Sequence, residues 1–134
     1  MLPRRRFIMS SAAMCLTPSM GQAYSAQMFS PNLWSEMRES SDVVIMNYRA
    51  SWSLTCQIKA DILAELIATH PQYQRLTFVE VDWDTFGPSV LTQRLGVKRR
   101  STLLVMKQGK EVARVVNEPF VPPIQALLDR ALTA

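Results

Sequence analysis

Two rhythms of apolar and polar positions alternate along this chain. Val43-Val44-Ile45-Met46 is an unbroken, β-branched-rich run, the pattern of a strand covered on both faces. Over residues 54–69 the period changes. Leu54, Ile58, Ile62 and Leu66 step by four, with Leu63 and Ile67 beside them, which predicts a helix with one buried stripe. His70-Pro71 ends it, because the residue before a proline is pushed out of the helical region. Residues 76–81 read as a second central strand and residues 102–106 as a third. Residues 111–116 return as a fourth after the Gln108-Gly109 turn, making a hairpin. A short strand is expected near Gln27-Met28-Phe29. Ser30-Pro31-Asn32 starts a short helix whose apolar face carries Leu33, Trp34 and Met37. A further short helix runs from Pro88 to about Leu95 and closes at Gly96. The last helix spans residues 121–132, with Pro122 and Pro123 tolerated only in its first turn. Helices alternating with strands, followed by a hairpin and a helix, predict an α/β fold: a central mixed sheet with helices on both faces.

The chain's 134 residues give room for one domain and one core. Its apolar fraction of 48% and charged fraction of 19% suit a soluble globular chain. The formal charge of +4 would favour a nucleic-acid partner, but much of it sits in Arg4-Arg5-Arg6. These arginines open what reads as an export signal. Phe7-Ile8-Met9 and a weakly apolar stretch to Met20 follow, and Gly21-Gln22-Ala23 offers small residues for cleavage. The order Arg4-Arg5-Arg6-Phe7-Ile8 is that of a twin-arginine signal, with an ordinary secretory signal as the alternative. The stretch is too short and too interrupted to span a bilayer. Cys15 is no lipid-anchor site, since Met14 stands where a small residue is required. The expected organisation is a signal over residues 1–23, cleaved near Ala23, and one domain over residues 24–134 in the periplasm. Without the signal, Lys and Arg fall from 15 to 12 against 11 acids, a formal charge of +1. Phosphate neutralisation then gives no reason to expect nucleic acid.

Cleavage would also remove Cys15 and leave Cys56 as the one thiol. An odd cysteine in an oxidising compartment is a buried inert residue, an intermolecular partner or a reactive site. Its setting is Ala50-Ser51-Trp52-Ser53-Leu54-Thr55-Cys56, between the first central strand and the long helix. The layout is that of a strand-to-helix redox turn in which a tryptophan precedes two positions spaced C-x-x-C. Here the first position is Ser53. A dithiol cycle needs one thiol to attack and another to resolve the mixed disulfide.

The segments from Val43 to Cys56, Phe78-Val79-Glu80-Val81-Asp82, Leu95-Gly96-Val97, and Ser101-Thr102-Leu103-Leu104-Val105-Met106 with its Gly109 hairpin resemble the thioredoxin superfamily. The resemblance runs from about Phe29 to the C-terminus. It implies a thioredoxin-like three-layer sandwich in which the strand, the redox turn and the residue 101–106 strand form one surface. Three positions depart from the family's redox pattern. Ser53 stands in place of the nucleophilic cysteine, Asn47 in place of the buried strand carboxylate, and Ser101 in place of the proline that is usually cis. A non-proline cis bond costs about 2.5–4 kcal/mol, so a trans bond is expected before Ser101.

Ser53 is expected to cap the helix through the amide of Cys56. As a nucleophile it lacks a base, because the single histidine, His70, lies at the helix's far end. Cys56, in the first helical turn, reads equally as a small buried apolar residue or as a monothiol forming mixed disulfides. Trp52, Arg49, Arg100, Ser101 and Thr102 are the candidate binding residues, with Lys98 and Arg99 completing a basic rim near the turn. One histidine and one remaining cysteine make no typical zinc site, and no phosphate-binding glycine motif is present, so no cofactor is expected. The leading expectation is an exported thioredoxin-like protein without ordinary dithiol turnover, acting on a protein partner. A monothiol oxidoreductase using Cys56 on a thiol-containing substrate is the alternative, and a structural subunit of an exported complex is a third.

Overall fold

The computed structural model describes residues 24–134, so the expected export segment lies outside the described residues. Five strands form one mixed sheet: β1 (Gln27–Met28), β2 (Val43–Arg49), β3 (Thr77–Asp82), β4 (Thr102–Lys107) and β5 (Lys110–Val116), in the order β1-β3-β2-β4-β5. The first three run parallel, and β4 and β5 run antiparallel to their neighbours. Five α-helices accompany them, α1 (Pro31–Glu39), α2 (Leu54–Thr69), α3 (Trp83–Phe86), α4 (Val90–Arg94) and α5 (Val121–Leu132), with a 3-10 turn over Pro71–Arg75 after α2.

Because successive strand residues face opposite ways, β2 divides the core in two. Ile45 joins Phe78, Leu103 and Val105 beneath α2 and α5, with Leu63, Leu66, Leu127 and Leu128 from the helices. Val44, Met46 and Tyr48 join Val79, Val81, Leu104 and Met106 on the opposite face, with Met37 of α1 and the partly buried Leu91 of α4. The three-layer α/β architecture expected from the sequence is therefore present. The Tyr48 hydroxyl and Thr92 Oγ1, 2.9 Å apart and buried, tie β2 to α4.

Ends shifted by a residue or two, and α3 adds a short turn that the periodicity did not indicate. Asp82 caps it by accepting from the Thr85 amide at 3.1 Å. A larger correction concerns α2. Of the expected stripe, Leu63, Leu66 and Ile67 are buried and Ile62 is partly so, but its N-terminal end is Cys56 and Lys59 rather than Leu54 and Ile58. Leu54 is 73% exposed and Ile58 39%, whereas Lys59 is only 2% exposed. Apolar side chains flank the Gln57-Asp61-Glu65 row of the helix on both sides, so hydrophobicity alone does not fix its rotation. Docking against β2 does, and it carries a lysine inside.

Among the described residues, no helix is long and apolar enough to cross a membrane.

Candidate functional site

Strand β2 delivers the chain into the turn, and α2 starts immediately after it. Ser53 is extended, at φ −94° and ψ 124°, and its Oγ accepts from the Cys56 amide at 3.3 Å. This is the expected N-cap, which satisfies one of the amides left open at a helix start. The hydroxyl is thus engaged structurally, and Ser53 is buried.

Cys56 is a free thiol with no exposed surface. The Ala50 amide donates to its Sγ at 3.5 Å, and the thiol faces the Arg100 carbonyl at 3.7 Å. The two contacts act oppositely. The sulfur accepts from one neighbour and can donate its proton to the other.

One turn along, the Lys59 ammonium donates to the Tyr48 carbonyl at 2.9 Å. Burial brings its pKa down to about 8; nearby Cys56 acts in the opposite sense, and Arg49 in the same sense. Asn47, at the position of the family's buried carboxylate, donates through Nδ2 to the Tyr24 hydroxyl at 3.0 Å. Its Oδ1 is buried without a partner. The sequence reading gave Lys59 and Tyr24 no role. The signal for Lys59 was present: three residues after Cys56 and four before Leu63, it completes a helical stripe.

Trp52 is 61% exposed and held in place. Its Nε1 donates to both carboxylate oxygens of Asp84 at 3.1 Å, and the Arg100 guanidinium lies 4.7 Å over its ring. A cation over an indole face contributes about 0.5–1 kcal/mol at an exposed site. The expected basic rim is divided. Arg100 stacks on Trp52, whereas Arg49 is drawn to Glu80, with which it pairs at 2.9 Å. Lys98 and Arg99 are exposed.

Ser101 and Thr102 are buried, so their side chains offer no outward contact surface. The Thr102 hydroxyl donates to the Arg99 carbonyl at 2.7 Å, and the Ser101 carbonyl accepts from the Asn117 amide at 2.7 Å. Ser101 Oγ is without a partner. No peptide bond among the described residues is cis, so the bond before Ser101 is trans, as expected. Trp52, Cys56 and Arg100 come together at the turn, while Arg49 belongs to a neighbouring recess lined by Met28, Ser51, Glu80 and Asp82.

A thioredoxin sequence profile matches residues 25–129. The chain belongs to the thioredoxin family. Thioredoxin H4-2 of Oryza sativa subsp. japonica is 31% identical over 97 residues, covering 70% of this chain and 70% of that protein. Thioredoxin-1 of Saccharomyces cerevisiae is 32% identical over 75 residues, covering 56% of this chain and 68% of its own length. Among solved structures, the thioredoxin of Malassezia sympodialis superposes with a TM-score of 0.67 at 22% identity, over 81% of this chain and 91% of that one. Trxlp from Edwardsiella tarda gives 0.65 at 26% identity, over 78% and 98%. These likenesses establish fold and family.

Proposed function

We propose that this thioredoxin-family protein is exported and works by binding a protein partner at the Trp52–Arg100 surface, without ordinary dithiol-disulfide turnover. One observation carries this reading: at the attacking position stands a serine whose hydroxyl caps α2, and the remaining thiol is fully buried beneath it. An attacking sulfur has to reach a partner disulfide in solution, and Cys56 in this geometry does not. The surface that remains is an exposed indole, oriented by Asp84 and covered on one side by a guanidinium. Such aromatic and arginine anchors contribute most to protein interfaces. Arg4-Arg5 and the small residues before Tyr24 support export with cleavage near Ala23 into the periplasm.

The purified protein is expected to leave dithiothreitol-driven insulin reduction at its uncatalysed rate, and a Ser53→Cys variant to accelerate it. Catalysis by the unaltered protein would overturn the proposal. Replacing Arg4 and Arg5 by lysine is expected to hold the full chain in the cytoplasm if export is by the twin-arginine route.

A second reading has one contact in its favour. The Ala50 amide donates to Cys56 Sγ, and the thiol stands in the first turn of α2. Cys56 would then form a mixed disulfide with a partner, released by an external thiol. Mass spectrometry of protein taken from the periplasm decides the matter: a disulfide-linked adduct on Cys56 favours the monothiol reading, and a free thiol favours the first.

A further inference from the structure

The rotation of α2 leaves a second surface unexplained. Ile58, Ile62 and Leu66 open with Val121 of α5 onto a groove of about 420 Å³. Ile58 is 39% exposed and Val121 45%. Partly exposed apolar side chains gathered along one groove offer a surface that a second apolar face can cover.

Charge identifies the occupant. Asp61 and Glu65 line one side of the groove, four residues apart, so their carboxylates stand one above the other along α2. Neither forms an ion pair among the described residues. The opposite side carries no carboxylate, and there Gln125 Nε2 and His70 Nε2 lie 3.4 Å apart. From Ile58 to Thr69 the groove runs along three turns of helix, about 17 Å at 1.5 Å per residue. A ridge of residues stepping by four is the surface into which a second helix packs.

We propose that the α2–α5 groove docks an amphipathic helix of a partner protein, its apolar stripe seated on Ile58, Ile62 and Val121 and its lysine or arginine flank set against Asp61 and Glu65. This site is separate from the Trp52–Arg100 surface and stands without it. The lysine or arginine flank fixes which side of the docked helix meets α2, since both carboxylates stand on that wall.

The test uses the full chain, labelled with ¹⁵N, and two synthetic helical peptides of about three to five turns. Both carry the same leucine stripe, one flanked by lysines and the other by glutamates. The lysine peptide is expected to shift amide resonances over residues 58–70 and 121–125 and to bind more weakly as salt is raised. The Asp61→Lys/Glu65→Lys double variant and, separately, Ile58→Asp are each expected to weaken it at least tenfold. Trp52→Ala is expected to change it less than twofold, which separates failure here from failure of the proposed Trp52 surface. All four altered side chains are solvent-facing, and retained folding is checked from the spectrum of each variant. Equal binding of the glutamate peptide, absence of binding, shifts confined to the Trp52 end, or a dimer joined through this groove would each overturn the proposal.

Discussion

The two halves of α2 follow opposite rules. From Leu63 to Thr69 the helix behaves as an amphipathic element should, burying Leu63, Leu66 and Ile67 against β2 and α5. From Leu54 to Lys59 it buries a thiol and an ammonium and turns Leu54 and Ile58 outward. The C-terminal half is shaped by the core. The N-terminal half carries the costs of a site: a buried lysine bonded to a backbone carbonyl, an orphaned Asn47 oxygen nearby on β2, and apolar side chains left in water. Local violation of the burial pattern, next to the segment where the family's chemistry resides, marks where this helix answers to something other than stability.

The contrast can be broken most forcefully at Leu63. Leu63→Ala removes a fully buried side chain and is expected to cost about 3 kcal/mol, read by urea denaturation. A loss below about 1 kcal/mol would mean that the C-terminal half is not the anchor.

Lys59 gives the next largest effect, with the opposite sign. Its folded pKa of about 8 lies below the ordinary 10.5, so the folded state binds its proton less readily than the unfolded chain does. The resulting penalty is fully present below about pH 8 and is relieved as pH rises toward 10.5. Lys59→Met is therefore expected to stabilise the protein by about 2 kcal/mol at pH 7, given 1.36 kcal/mol per pKa unit and the loss of one hydrogen bond. By pH 10 most of that gain should vanish. Denaturation curves of both proteins at the two pH values check it, and a gain independent of pH would refute the electrostatic cause.

Ser53→Ala tests whether the serine serves as a cap. About 1 kcal/mol of stability should be lost with no change in thiol reactivity. The smallest effect belongs to Leu54→Ala, within about 0.5 kcal/mol of wild type because the side chain is already in water. A large loss there would mean that Leu54 is covered in solution.

Much of this was legible beforehand. The Val43–Arg49 strand, the Thr102–Lys107 and Lys110–Val116 hairpin and the α2 boundaries follow from period, turn residues and His70-Pro71. The Ser53 cap follows from local spacing, since an N-cap reaches only three residues along its own chain. Arg49 and Arg100 were grouped as one rim, and the fold assigns them different partners, Glu80 and Trp52. Those partners are 31 and 48 positions away, and no local pattern encodes such pairings. The Trp52–Asp84 bond, which orients the exposed indole, was hidden for the same reason.

By itself the order of residues determined the family, the layer architecture and the loss of an attacking sulfur, because element periods and motif spacing are local quantities. Only tertiary packing decided which side of α2 faces the sheet. Apolar side chains flank the α2 row of Gln57, Asp61 and Glu65 on both sides, so packing against β2 and α5 settles the rotation, burying Lys59 with Cys56 and leaving Ile58 beside Asp61 and Glu65.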